Sequence, residues 1–194
     1  MGQKAILPTT LETYIEIEAS SKERYEYYDG HILAMAGGSP EYGQLQVNTD
    51  TALNNALRAA GKPCRTFSSD VKVAIQSVRR RFYPDLSVVC GPVERDQKET
   101  QAITNPVLVV EILSESTESL DRGEKFWGYR QLSSLREYML ISQDKVVIEI
   151  FSRAEDDTWR IQTLTAPGQT ADLPALGIRL NVEDIYFGME NIMN

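Results

Sequence analysis

Pro106-Val107-Leu108-Val109-Val110-Glu111-Ile112-Leu113 is apolar at every position but one. Side chains of a strand alternate between its two faces, so a stretch apolar on both is covered on both sides. It therefore reads as the buried central strand of an α/β sheet. A segment of helical period over Thr117–Leu132 follows, and then a further strand, Glu137–Ser142. The exception is Glu111. An unpaired buried carboxylate costs several kcal/mol (about 3–5 when a partner is removed), so a base, hydrogen-bond donors or a metal ion must compensate it. The plainer alternative is a glutamate at the strand's end, at the surface or paired with an arginine.

Upstream, Phe82–Cys90 reads as one strand, with Asp85 where its apolar run begins. Pro84 cannot donate to a ladder and marks a strand start or an edge. Asp85 opens its strand and Glu111 closes the other, so antiparallel pairing would bring the two carboxylates together. They repel unless a divalent cation lies between them. Taken alone, Asp85 could equally be a turn acid after proline.

Val109, Glu111 and Leu113 share one face of the central strand. A lysine at 113 would complete an Asp…Glu-x-Lys pattern, but the position is Leu113. The nearest replacement is Lys125, which shares a helical face with Asp121 and Tyr129 at i, i+4, i+8 spacing. The alternative is an exposed Asp121–Lys125 pair worth about 0.3–0.5 kcal/mol. Glu26 is a third candidate acid, or a cross-strand partner of an arginine. Asp70 is a turn acid or a supporting group. Arg79, Arg80 and Arg81 precede the Asp85 strand and could grip phosphates, although a charged, solvated strand edge explains them as well.

The remainder of the chain frames this centre. Thr9 and Glu12 offer a capping box for a first helix carrying Leu11, Tyr14 and Ile15 and ending near Ser20–Ser21. Arg24–Tyr28 and His31–Ala36 form a hairpin about Asp29-Gly30, a pair suited to the positive φ of a type I′ turn. Glu41–Ala60 reads as a long helix stopped at Gly61. Strands follow at Arg65–Ser68 and Val71–Gln76, and a hairpin at Lys145–Phe151 and Trp159–Thr165. The tail closes with Leu173, Leu176, Ile178 and Leu180, then a helical turn at 181–186. One mixed central sheet with helices on its faces, preceded by a helix and a β-hairpin, is expected as a single domain over residues 1–194.

Composition bounds the function. With 42% hydrophobic and 25% charged residues among 194, the chain can bury a core and is not disordered. Its net charge of −8 argues against broad non-specific binding to nucleic acid or membranes. The basic residues are nonetheless uneven: Arg58–Arg81 holds seven Lys/Arg against one acid, Asp70. Cys64 and Cys90 lie among apolar residues without a CxxC pair and read as buried free thiols in a reducing compartment. No apolar run approaches a membrane span, and Met1–Thr10 has neither a signal-peptide core nor a myristoylation pattern. The cytoplasm is the expected location. Neither GxxxxGK[ST], GxGxxG nor HExxH occurs, and a single histidine, His31, leaves no Ser-His-Asp or Cys-His hydrolase.

Glu23-Arg24-Tyr25-Glu26-Tyr27-Tyr28-Asp29-Gly30, Met35-Ala36-Gly37-Gly38-Ser39-Pro40, Tyr83-Pro84-Asp85, Val110-Glu111-Ile112-Leu113-Ser114 and Asp121-Arg122-Gly123-Glu124-Lys125-Phe126 occur in that order. Together they resemble the Uma-two family of restriction endonucleases, within the PD-(D/E)XK nuclease superfamily, over about Thr9 to Tyr186. The resemblance implies a restriction-endonuclease-like α/β/α core and Mg²⁺-dependent hydrolysis of DNA phosphodiester bonds, with Mn²⁺ able to substitute. By matching position, Asp85 and Glu111 would be the metal ligands, with a backbone carbonyl near Ile112. Lys125 would be the displaced lysine and Glu26 an additional acid. Double-stranded DNA is the expected partner and a homodimer the expected assembly. Two departures stand out: Tyr42 where the family commonly has histidine, and Glu115 where it commonly has proline. Tyr42 and the acidic balance favour the alternative, a catalytically weak or inactive nuclease-fold protein acting as a DNA-binding or oligomeric interaction module; the presence of Asp85, Glu111 and Lys125 together disfavours it.

Overall fold

The computed structural model describes residues 5–6, 8–35, 37–189 and 192. The chain opens with a short β1 (Ala5–Ile6), α1 (Leu11–Ser20) and the hairpin β2 (Tyr25–Tyr28) and β3 (His31–Ala34). Thr10, one residue after the expected cap, accepts the Thr13 N–H at the start of α1. Asp29 and Gly30 turn the hairpin with φ of 49° and 78°. Ala36, the expected end of this hairpin, lies outside the described residues. The long helix α2 (Pro40–Ala59) is capped by Ser39, carries Pro40 in its first turn and ends before Gly61, whose φ is 61°. Its buried stripe is Leu45, Leu53 and Leu57.

Then come β4 (Cys64–Ser68), β5 (Val73–Ile75), β6 (Arg80–Phe82), β7 (Leu86–Cys90) and β8 (Leu108–Leu113). A helical passage of α3 (Glu118–Leu120), a π turn (Asp121–Lys125) and α4 (Phe126–Tyr129) leads to β9 (Glu137–Ser142). The hairpin β10 (Ile148–Arg153) and β11 (Trp159–Leu164) follows. A second hairpin, β12 (Thr170–Leu173) and β13 (Ile178–Asn181), and a final turn α5 (Val182–Ile185) close the chain.

Instead of one sheet, the strands divide. A six-stranded mixed sheet has the order β11-β10-β9-β8-β7-β4, with β8 and β9 parallel and the other neighbours antiparallel. A five-stranded antiparallel sheet has the order β1-β3-β2-β6-β5. The division occurs at Pro84. The single strand expected over Phe82–Cys90 is two strands in different sheets, because a residue without an N–H cannot continue a ladder and here the chain crosses between layers. That crossing sets Asp85 at the junction. The helix expected over Thr117–Leu132 is shorter, and its middle is a π turn.

As expected, β8 is central and wholly buried. Leu108, Val110 and Ile112 pack with α2 and the C-terminal hairpin. Val109 and Leu113 pack on the other side with Tyr129, Leu132 and the smaller sheet's Val73, Ile75 and Phe82. Glu111 belongs to this second side.

Two further expectations are corrected. Cys64 and Cys90 are cross-strand partners in β4 and β7 and are joined as a disulfide. Pairing register, invisible in their spacing, brings them together, and they no longer argue for a reducing compartment. Arg80 and Arg81 are neither phosphate-facing nor a solvated edge. Arg80 is buried between Asp29 and Glu124, and Arg81 between Asp96 and Glu99. Only Arg79 of the three is exposed, on a left-handed turn. Among the described residues, no helix is long and apolar enough to cross a membrane.

Candidate active site

Register brings the first two carboxylates together. β7 and β8 pair with Leu86 opposite Val110, so the next position outward sets Asp85 beside Glu111. The Ile112 backbone N–H donates to Asp85 Oδ2 at 2.5 Å. The Tyr42 hydroxyl donates to Oδ1. From the second turn of α2, Gln46 donates to the Asp85 carbonyl at 3.0 Å. The Tyr42 ring lies against Gly38, where an added Cβ would fall 2.1 Å from Tyr42 Cδ1, so only glycine leaves room for it.

Lys125 reaches the same place from the π turn. Its Nζ lies 3.1 Å from Glu26 Oε1, 3.3 Å from Glu111 Oε1 and 3.1 Å from Asp121 Oδ1. Glu26 comes from β2, and its Oε1 also accepts the Tyr83 backbone N–H at 2.9 Å. The Tyr129 hydroxyl donates to Glu111 Oε1 at 3.2 Å. Thus Glu26, Asp85, Glu111 and Lys125, which the sequence nominates from four separate segments, share one cleft, with Tyr42 and Asp121 also in its walls.

The Asp121–Lys125 pair is buried, not the exposed pair that helical spacing alone suggests. Its i, i+4, i+8 relation with Tyr129 is the sequence signal that could have named all three. Tyr42 stands out in sequence only as a departure from a pattern, and its bond to Asp85 needs the fold. Asp70 is an exposed turn acid paired with Arg24 at 2.6 Å, away from the cleft.

Four carboxylates face one ammonium here. Burial pushes Asp85 up to about 6, against the pull of Lys125, Tyr42 and the Ile112 amide. Burial likewise raises Glu26. It raises Glu111 well above the carboxylate range, Asp121, Asp85 and Glu26 adding to the effect. For Lys125, burial works against the charge, but Glu111, Glu26 and Asp121 outweigh it and hold the ammonium well above its ordinary value. The cleft thus gathers four buried carboxyl groups about one ammonium, and burial favours the neutral form of Asp85, Glu26 and Glu111.

The donor set suits a hard divalent cation: carboxylate oxygens, without sulfur or imidazole. Asp121 Oδ1 is buried and makes no hydrogen bond, its approach to Lys125 being an ion-pair contact only. Among the described residues no three acids, histidines or cysteines already close into a ligand cage. Asp85 and Glu111 offer the adjoining carboxylate oxygens that a hard divalent cation takes.

A family model matches residues 11–183, and its description is "Uma2: Putative restriction endonuclease". The chain is a member of the Uma2 family. Two relatives come from Synechocystis sp. (strain ATCC 27184 / PCC 6803 / Kazusa). Uncharacterized protein slr1290 is 39% identical over 178 residues, covering 92% of this chain and 91% of its own. Uncharacterized protein sll1609 is 30% identical over 164 residues, covering 84% and 90%. Among solved structures, a crystal structure of "a putative nuclease belonging to DUF820" from Anabaena variabilis ATCC 29413 aligns with a TM-score of 0.74. That likeness covers 92% of this chain and 98% of the other at 16% identity, so it speaks for the fold. The Uma2 match spans every residue of the cleft named above.

Proposed function

We propose that this Uma2 chain is a divalent-metal-dependent endonuclease that hydrolyses phosphodiester bonds in double-stranded DNA. Mg²⁺ is its ion, with Mn²⁺ a substitute. The observation that carries this reading is the convergence of Asp85, Glu111 and Lys125 from a strand junction, a central strand and a helix into one cleft with excess carboxylate. The family's description, "Putative restriction endonuclease", supports it.

Asp85 and Glu111 would hold the ion. Bound there, it would acidify a coordinated water and offset charge on the phosphorane-like transition state. The protein's own groups do the rest. The Ile112 amide and Tyr42 hydroxyl fix the Asp85 carboxylate so that it need not reorganise during reaction. Glu26 and Asp121 keep Lys125 protonated, ready to orient water or to neutralise a phosphate oxygen. Two antiparallel strands related by a twofold axis suit a homodimer, one cleft per strand.

The test is cleavage of supercoiled plasmid with Mg²⁺, Mn²⁺ or EDTA, by the wild-type chain and Glu111→Gln. Cutting that EDTA and Glu111→Gln both abolish supports the reading; no cutting with either ion overturns it. One observation favours a second reading. Tyr42 engages Asp85 Oδ1 directly, which would disfavour metal loading and leave a DNA-binding or oligomeric module. Duplex binding without cleavage at saturating Mn²⁺ would select it.

A further inference from the structure

Three arginines converge where α4 gives way to β9. The Arg153 backbone N–H donates to the Arg136 carbonyl at 2.8 Å. Its guanidinium donates to the Leu132 carbonyl at 3.1 Å and to the Arg130 carbonyl. Arg153 and Arg130 both lie against the ring of Trp159, with Cζ 5.0 and 5.9 Å from its centroid, and Arg130 also covers Phe126 at 5.5 Å. Arg130 and Arg136 are exposed. The three charges feel one another: burial, with Arg136 and Arg130, holds the Arg153 guanidinium below its ordinary value against the pull of Asp157. Among the described acids only Asp157 comes within ion-pair reach of the three, 3.7 Å from Arg153 Nε, and its side chain is 84% exposed. Asp156, in the same turn, accepts from Thr158 instead. Arg153 Nε is buried and makes no hydrogen bond. None of these arginines lines the cleft. Arg136 precedes Leu140, the partner of Glu111, by four positions, about 13 Å along the strand.

We propose that Arg130, Arg136 and Arg153 form a second binding site, for free phosphate or a phosphate monoester. The inference goes beyond the nuclease reading and does not need it. Like charges crowded about one exposed carboxylate are relieved by an anion. A guanidinium suits an oxyanion, because its planar donors meet two oxygens at once. Stacking on Trp159 and Phe126 holds Arg130 and Arg153 in place before a ligand arrives, so less side-chain freedom is lost on binding. Charge selects phosphate over carboxylate. Asp157 already offers Arg153 one negative charge, and a ligand must displace it. A phosphate monoester brings a charge of about −1.5 to −2 and three acceptor oxygens, where a carboxylate brings one charge and two oxygens. Both Nη groups of Arg153 are committed to the Leu132 and Arg130 carbonyls. Arg153 therefore supplies fixed charge and its unbonded Nε, while Arg130 and Arg136 are the arms that reach the ligand.

The test titrates the full-length chain with inorganic phosphate by calorimetry, in EDTA and at constant ionic strength. Wild type should bind at millimolar concentration or below, and acetate should bind far more weakly. Arg130→Gln with Arg136→Gln, both at exposed positions, should weaken phosphate binding by ~10-fold or more. Asp157→Asn should tighten it by about 3-fold, the worth of one exposed ion pair. Asparagine also tolerates the left-handed backbone at 157, where φ is 62°. Arg79→Gln, an exposed arginine on another element, should leave it unchanged. No phosphate binding at millimolar concentration overturns the proposal, as does an affinity indifferent to the double variant or to Asp157→Asn. So does an equal loss in Arg79→Gln, which would mean attraction to net charge alone, and so does acetate that matches phosphate. If phosphate fails to bind, yet the double variant loses affinity for a duplex without terminal phosphates, the arginines serve a nucleic-acid backbone and the proposed site is refuted. Phosphate binding of the expected pattern in a chain that cuts no DNA upholds the site and leaves the nuclease reading to fail alone.

Discussion

The Tyr42 hydroxyl donates a hydrogen bond to Asp85 Oδ1, tying the first turn of α2 to a strand junction 43 residues further along the chain. A bond to an ionised acceptor in a buried setting is worth about 1.5–3 kcal/mol. Tyr42→Phe should therefore lower the stability of the metal-free chain by about 1.5–3 kcal/mol in urea titration. It should also enlarge the rise in melting temperature on adding Mn²⁺, because Asp85 then has one partner fewer and the ion replaces it. An unchanged metal response would mean that Tyr42 only packs against Gly38.

Asp85 and Glu111 adjoin across β7 and β8, and a divalent ion binding them in the folded state alone stabilises it by mass action. Millimolar Mg²⁺ or Mn²⁺ should raise the melting temperature of the wild type. Asp85→Asn should remove most of that response and leave the metal-free chain as stable or more so, since one repelling charge is gone. A wild-type melting temperature indifferent to both ions would speak against this pair as a metal site.

Lys125→Ala should remove most cleavage while the metal-induced stabilisation persists, because lysine is not a ligand. Lys125→Arg should restore little, since a planar guanidinium does not replace a compact ammonium packed among three carboxylates. Plasmid cleavage at wild-type rate by Lys125→Ala would reduce the lysine to a structural counter-ion.

Arg81 is 2% exposed and answers both Asp96 and Glu99. Arg81→Met should destabilise the chain by about 3–5 kcal/mol, the usual cost of leaving buried charges without their partner. Arg79→Gln, at an exposed position, should change stability by no more than about 0.5 kcal/mol. Equal effects of the two in urea titration would contradict the burial described.

Glu137 lies on β9, remote from the cleft, with Oε1 accepting the Ala175 N–H and Oε2 unpartnered. Burial pushes its carboxyl up to about 7 from an ordinary 4.5. Below 4.5 both folded and unfolded chains hold the proton and the group contributes nothing. Between 4.5 and 7 the unfolded chain alone releases it, so stability falls as pH rises, by about 3 kcal/mol in all. Glu137→Gln should flatten this decline and make the chain more stable than wild type at pH 8 but not at pH 4. Parallel urea profiles at the two pH values would show that Glu137 is not the group responsible.

Local chemistry carried much of the fold. Apolar runs marked β8 and β9, the Asp29-Gly30 pair marked its hairpin, and the spacing of Leu45, Leu53 and Leu57 marked α2. What local chemistry does not encode is which strand joins which sheet. Pro84 signalled a break, yet nothing near it said that the chain changes layers there. The basic run misled for the same reason: Asp29, Glu99 and Glu124, which neutralise Arg80 and Arg81, come from other elements. Asp121 was visible as a helical neighbour of Lys125, but its burial depends on other elements, among them β9, whose Tyr138 hydroxyl donates to the Asp121 carbonyl.

The alternation along β8 has a practical consequence. Val110 and Ile112 fill the core beneath α2, while Glu111 between them faces the cleft. Sliding the strand by one residue would drive the carboxylate into that core and turn two apolar side chains toward Asp85 and Lys125. Such a misfolded isomer would lose solubility along with its chemistry. Chain that purifies as a soluble, cooperatively melting species should therefore carry Glu111 correctly aimed, which makes inactivity in such a preparation a statement about chemistry rather than about folding yield.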